Sequence, residues 1–177
     1  EGSLSDWDVS NVTNMYWMFR DCIDFDQPLT NWNTSKVVDT SCMFYNCKQF
    51  NQPLNDWNTI NVVDMSGMFY NCVKFNQPLD NWNTSKVVDM SHMFQGCTTF
   101  NQNLSNWDVS NTNYMGFMFY NCLNFNQLIN NWDIRKVVDL KNIFKNTQIR
   151  DFNFLRSWLP PTKISIEELG EIFGNLP

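Results

Sequence analysis

The sequence predicts a repeat solenoid of the α/β class, and three observations favour it. Tryptophan, cysteine and phenylalanine each return every 25 residues along most of the chain. Each 25-residue unit contains one stretch with helical spacing of apolar residues and one stretch that suits a strand. The chain of 177 residues is 43% hydrophobic and 17% charged, which provides a continuous core and argues against disorder. Self-similarity at a period of about 20 to 50 residues is typical of solenoids, propellers and arrays.

The period does not slip from unit to unit. The octet F-N-Q-P-L-N-D-W at 50–57 returns as F-N-Q-P-L-D-N-W at 75–82. The residues that recur in register are Trp7, Trp32, Trp57, Trp82, Trp107 and Trp132, then Cys22, Cys47, Cys72, Cys97 and Cys122, and Phe25, Phe50, Phe75, Phe100 and Phe125. In a stack of units these residues are expected to form ladders, and the recurring glutamines, such as Gln52 and Gln77, to stack their amides between units.

The first element of the unit is a short helix. In the third unit the apolar residues that share one helical face are Met65, Met68, Phe69, Cys72 and Phe75. Asp64 directly precedes them and is a good N-cap, so a helix is predicted over 65–71. The carboxylates Asp64, Asp89 and Asp139 are interpreted as helix caps rather than as a cation site, because each helix start offers only one carboxylate.

The second element is a brief strand over Leu54–Thr59, where Leu, Trp and Thr lie among short polar residues after Pro53. One short strand and one short helix per unit predict a leucine-rich-repeat-like solenoid. About six units fill 1–147 and form the first domain. Residues 148–177 are predicted to hold a half-repeat and a capping helix that begins with the capping box Ser165 and Glu168.

The two ends of the predicted solenoid differ. A helix that carries Ile166, Leu169 and Phe173 can cover the last core rung. The opening unit has no such cover, and its apolar end residues are Leu4, Trp7, Met15 and Met18. We therefore expect self-association through the N-terminal end, as a two-fold pair, or else further repeats upstream.

Charge and hydropathy exclude two classes of partner. The net charge of −6 and the sequence pI near 4.6, with scattered Lys and Arg, lack the positive footprint of a nucleic-acid-binding protein. No run of about 18 apolar residues exists, so no membrane span is predicted.

Catalytic, metal and cofactor sites are not predicted. Cysteines that repeat along one face lack the convergent spacing of a metal site, and buried free thiols are favoured over a disulfide, for which Cys42 is the best candidate. His92 is the single histidine, and its slot is filled by unrelated residues in other units. An exposed His92 without a catalytic role is therefore favoured over a catalytic base. The chain is expected not to be an enzyme.

Variable slots between the recurring residues are the candidate contact positions. One set lies at 20–21, 45–46, 70–71, 95–96 and 120–121, and a second at 30–31, 55–56, 80–81, 105–106 and 130–131. Aromatic residues with a polar tip are enriched at interfaces. The candidate partner-binding residues are Tyr45, Tyr70, Tyr120, Arg20 and Gln95. The alternative is that these side chains merely shield the helix layer.

The stretch W-N-T-S-K-V-V-D-M-S-H-M-F-Q-G-C-T-T-F-N-Q at 82–102 resembles the repeat of BspA-like bacterial surface proteins, best known from mycoplasma lipoproteins. The resemblance covers about Leu4 to Thr147. The units depart from the pattern at Thr40, Asn103, Thr112, Leu128 and Thr147. The resemblance implies a leucine-rich-repeat-like fold.

Two functions are open. The resemblance implies a surface or secreted protein that binds another protein or a surface receptor in adhesion or recognition. The alternative is a cytoplasmic protein-binding scaffold or effector that uses the same solenoid, which reduced cysteines favour.

Overall fold

A computed structural model describes residues 2–150, and they form a stack of 25-residue units. Each unit pairs in parallel with the next through a single bridge residue. The six bridge residues are Asn14, Asp39, Asp64, Asp89, Tyr114 and Asp139. Within 2–150 the one regular helix is the short 3₁₀ helix Leu4–Asp6, whose N-cap Ser3 accepts a hydrogen bond from the Ser5 N–H.

The predicted α/β solenoid with a helix and a strand in each unit is wrong. The stretch 65–71 is a run of turns, in which each backbone hydrogen bond made within the stretch spans three residues. The Met68 N–H donates to the Met65 carbonyl at 3.2 Å, and the Cys72 N–H donates to the Phe69 carbonyl at 2.9 Å. An α-helix requires bonds that span four residues. The leucine-rich-repeat-like interpretation is also wrong, because it rested on a helix and a strand in each unit.

Backbone conformation explains why the stretch 65–71 does not form a helix. Two positions per unit have a positive φ, as at Gly67 (57°) and Asn71 (55°) in the third unit. A left-handed residue every fourth position interrupts a right-handed helix and is typical of the third residue of a type II turn. The Gly67 and Asn71 N–H groups instead donate to Ser91 and Gln95 carbonyls of the next unit, at 2.8 and 2.7 Å.

The strand predicted over Leu54–Thr59 is also wrong. Residues 55–56 form a turn, closed by the Trp57 N–H on the Leu54 carbonyl at 3.0 Å. Parallel pairing occurs a few residues later, where the Val63 N–H donates to the Val38 carbonyl at 2.8 Å. Pairing stops after one bridge residue because turns resume on its far side.

The predicted ladders are confirmed as the core. The tryptophans Trp32, Trp57, Trp82, Trp107 and Trp132 are each buried. Successive rings stack, with centroids 5.6 Å apart for Phe44 and Phe69, and 6.2 Å apart for Trp82 and Trp107. Burial of large aromatic side chains is the main stabilising contribution in such a core.

Polar atoms within the ladders bond to the backbone of a neighbouring unit. The Trp82 Nε1 donates to the Leu54 carbonyl at 2.9 Å, and the Cys97 Sγ donates to the Phe69 carbonyl at 2.8 Å. The glutamine amides behave in the same way, since the Gln77 Nε2 donates to the Asn51 carbonyl at 3.0 Å. Glutamine therefore joins units by bonds to the main chain, in place of the predicted amide stack.

The C-terminal half-repeat and the capping helix at Ser165 and Glu168 lie outside the described residues, so the domain boundary at 147/148 stays a prediction. Within 2–150, no helix is long and apolar enough to cross a membrane.

Candidate recognition surface

Exposed and half-exposed aromatic, amide and basic side chains form a continuous strip along the stack, called the aromatic strip below. Each member touches the next, and the strip crosses all six units. In order of contact, its members are Trp17, Arg20, Tyr45, Tyr70, Gln95, His92, Phe117, Tyr120 and Lys145.

The first part of the strip is built around Arg20. Its guanidinium carbon lies 4.3 Å from the Trp17 ring centroid and 5.3 Å from that of Tyr45, in cation–π geometry. Its Nε also lies 3.2 Å from an Asp21 carboxylate oxygen. Tyr45 in turn stacks on Tyr70, with centroids 4.3 Å apart and planes 4° from parallel. These contacts hold the rings in one orientation.

The middle of the strip is polar. The Gln95 Nε2 donates to the Tyr70 hydroxyl at 3.3 Å, and the Gln95 Oε1 lies 2.6 Å from the His92 Nδ1. The His92 ring stacks on Phe117 at 5.0 Å. A hydrogen-bonded amide and imidazole therefore connect the two aromatic halves.

The far part of the strip ends on a cation. Phe117 packs against Tyr120, with centroids 5.7 Å apart and a tilt of 60°. The Lys145 Nζ lies 6.0 Å from the Tyr120 centroid. Cations thus lie near both ends of the strip, and tyrosine hydroxyls lie between them.

Burial affects one phenol of the strip. The pKa of Tyr45 is raised, first by burial and then by its neighbour Tyr70. A phenol with an ordinary or raised pKa is protonated at neutral pH, so the Tyr45 hydroxyl can donate a hydrogen bond to a partner.

The structure brings the five predicted contact residues into this one strip. Arg20, Tyr45, Tyr70 and Gln95 are linked in sequence, and Tyr120 joins them through Phe117 and His92. Sequence reasoning missed Trp17, His92, Phe117 and Lys145 as members. Trp17, His92 and Phe117 occupy one repeating slot, three residues before the predicted slot, and that offset was the available signal.

The second predicted slot set borders a shallow polar cleft of about 310 Å³. It is lined by Asn81, Trp82, Asn83, Thr84, Ser85, Asn106 and Asp108. Residues that line the cleft bond to one another: the Thr84 hydroxyl donates to the Asp108 carbonyl, and the Ser85 hydroxyl donates to the Asn83 side chain.

The prediction that the aspartate ladder caps helices is wrong, because no helix follows these aspartates within 2–150. Instead, the Asp64 Oδ1 accepts hydrogen bonds from the Ser66 N–H at 2.8 Å and from the Ser66 hydroxyl at 2.7 Å. Asp89 does the same with Ser91. This is an Asx turn, in which a side chain closes the turn that its own backbone begins. In the described part of the chain, no three His, Cys, Asp or Glu residues cluster in a way that could hold a metal ion.

Four of the five repeating thiols are buried, as predicted, whereas Cys22 is exposed and Cys42 is half-buried. All six are free. Burial raises the pKa of Cys47 to about 12, and it raises the pKa of Cys72, Cys97 and Cys122 well above the usual range. These four thiols are structural and are not poised as nucleophiles.

Comparison with known families gives one match. The family described as "Mycoplasma protein of unknown function, DUF285" matches the chain over residues 1–66 and again over 52–158. The chain belongs to the DUF285 family. The two DUF285 matches overlap, as expected when one repeat pattern can align in several registers. No curated protein and no solved structure shows significant similarity to this DUF285 chain.

Proposed function

We propose that this DUF285 chain is a non-enzymatic recognition module of the BspA-like surface-protein type, and that it binds another protein or a surface receptor through the aromatic strip. The observation that supports this proposal is the continuity of the strip. Rings such as Tyr45 and Tyr70 stay half-exposed across the stack, although separate ladders already fill the core. Tyr, Trp and Arg dominate the energetics of protein interfaces.

Preorganisation of the strip favours binding. Stacking fixes Tyr45 against Tyr70, and hydrogen bonds fix Gln95 between Tyr70 and His92. A side chain that is already held in one rotamer loses little entropy when a partner covers it. An extended repeat surface then makes many such contacts along one line.

Matched substitutions test the strip. In one variant Tyr45, Tyr70 and Tyr120 are replaced by Ser. In the control variant three exposed valines outside the strip, Val38, Val63 and Val138, are replaced by Ser. Binding is measured against membrane-surface extracts and then against each purified partner that they yield.

We expect the strip variant to lose at least about tenfold in affinity, which corresponds to 1.4 kcal/mol, while the control variant binds like the parent chain. Near-ultraviolet circular dichroism reports whether each variant keeps its packed core. A partner that binds the strip variant as tightly as the parent would contradict the role of the strip.

Location is part of the proposal. We infer a cell-surface or secreted protein from the BspA-like resemblance. The free state of all six cysteines favours the second candidate, a cytoplasmic scaffold that binds its partner through the same strip. Antibody labelling of intact cells separates the two, because only a surface protein is labelled before the cells are opened.

A further inference from the structure

One backbone pattern joins each unit to the next. At every junction between units in 2–150, four alternate N–H groups of the earlier unit donate to four carbonyls of the later unit. Between the third and fourth units the distances run from 2.7 to 3.0 Å. The donors there are Met65, Gly67, Phe69 and Asn71, and the acceptors are Asp89, Ser91, Met93 and Gln95.

The first unit presents the same row of acceptors without donors. Its equivalent carbonyls belong to Asn14, Tyr16, Met18 and Arg20. None of the other residues in 2–150 donates a hydrogen bond to them.

Donors that run in the opposite direction show the same gap. In later units the Val63 N–H reaches the Val38 carbonyl, and the Trp82 Nε1 reaches the Leu54 carbonyl, each one unit back. The first unit's equivalents are the Thr13 N–H and the Trp7 Nε1, which find no acceptor in the described part of the chain. Trp7 is 53% exposed, whereas Trp82 is 3% exposed.

We propose that this outer face of the first unit binds one further 25-residue unit of the same repeat, in parallel and in register. The free carbonyls on this face match the row of donor N–H groups on the opposite side of a unit, and its free donors match the acceptors on that side. The same bonds already join the units at all five junctions of the stack. The partner is thus a polypeptide that carries this repeat. The same face of a second copy cannot pair with these carbonyls, because a two-fold pair would set carbonyls against carbonyls, so two copies can meet there only through exposed apolar side chains such as Trp7 and Met18.

The test joins a copy of residues 51–75 directly before Glu1, which preserves the 25-residue register. In the added unit, the groups equivalent to the donors Met65, Gly67, Phe69 and Asn71 then face the free carbonyls. The control chain carries the same 25 added residues in shuffled order. Hydrogen exchange is measured by NMR at the Thr13 amide, with the Val63 amide as an internal standard that is already paired.

In the chain with the ordered unit we expect the Thr13 amide to slow to the exchange rate of Val63, and Trp7 to become inaccessible to acrylamide quenching. The urea midpoint should rise above that of the shuffled control. Unchanged exchange at Thr13, together with a quenchable Trp7, would overturn the proposal. Loss of protection at Val63 would count against it equally, since an added unit is expected to extend the stack.

A second extended chain tests whether the result depends on which unit is copied. It carries a copy of residues 26–50 in the same place, and the same protection of Thr13 is expected. If both extended chains leave Thr13 as it is in the parent, the face does not accept this repeat.

Discussion

At the scale of single residues, the left-handed positions determine which substitutions the chain tolerates. The second such position in each unit is occupied by Asp21, Asn46, Asn71, Gly96, Asn121 and Asn146, each with a φ between 55° and 75°. Gly, Asn and Asp adopt this conformation at the lowest cost. The composition of this position therefore follows from its backbone conformation.

Gly96→Ala should destabilise the chain by roughly 1–3 kcal/mol, measured as the free energy of urea unfolding. The new Cβ would sit at a φ of 75° and collide with the Asn71 side-chain oxygen. Gly2→Ala is the matched control, because nothing lies within 4 Å of its added methyl. Equal stability of the two variants would show that the turn at 96 is not strained by a side chain.

Inside and outside positions should respond differently to truncation. Trp82→Ala removes a ring that is 3% exposed and the indole hydrogen bond to Leu54, so we expect a loss of about 3 to 5 kcal/mol. Tyr70→Ala removes a half-exposed ring and should cost about 1 kcal/mol or less. Urea midpoints in the reverse order would contradict the assignment of core and surface.

At the scale of the repeated element, the cysteine ladder makes stability depend on pH. The pKa of a buried thiol such as Cys47 is raised to about 12, whereas the thiol of an unfolded chain titrates near 8.5. The contribution of this buried neutral thiol to the free energy of unfolding is therefore complete below pH about 8.5 and is lost as the pH rises toward 12. The free energy of unfolding should fall in that window by about 1.4 kcal/mol per pH unit for each buried thiol.

Two variants isolate this effect from the titration of Lys and Tyr. Cys97→Ala should make the alkaline loss of stability less steep, because one buried thiol is gone. Cys22→Ser, at an exposed position, should leave the slope unchanged. Identical slopes would mean that the ladder thiols are not excluded from water. Urea titrations at several alkaline pH values provide the measurement.

At the scale of the whole molecule, the first unit concentrates exposed apolar surface. Trp7, Tyr16, Trp17 and Met18 are all exposed there, whereas Met15 is 2% exposed and belongs to the core. Of the end residues suggested by the sequence, Trp7 and Met18 are thus the ones available for contact. Contiguous apolar surface of this kind favours association.

Replacing both Trp7 and Met18 by Glu should therefore lower concentration-dependent self-association, measured by sedimentation velocity. Charged side chains at both places raise the cost of covering the face. Val138→Glu is the control, since Val138 is 75% exposed but lies in the sixth unit. Stronger association in the double variant, or an equal decrease in the control, would place the contact elsewhere.

Much of the core and of the candidate surface could be predicted from the sequence. The 25-residue register placed Trp82, Phe69 and Cys97 inside, and all three are buried. It also placed Tyr45 and Tyr70 in one row, where their rings stack. A ladder needs only the period and the choice of apolar positions, and both are visible in the residues themselves.

Backbone path was decided only by the tertiary structure. Apolar residues at 65, 68, 69 and 72 fit a helical face, yet a run of turns produces the same spacing. The two paths differ in where the backbone N–H groups bond. For Gly67 the acceptor is the Ser91 carbonyl, which lies in the next unit and is out of reach of any local pattern. The sequence by itself determined the repeat and its buried positions; contact between units determined the turns, because neighbouring units supply the acceptors that a helix would have found within itself.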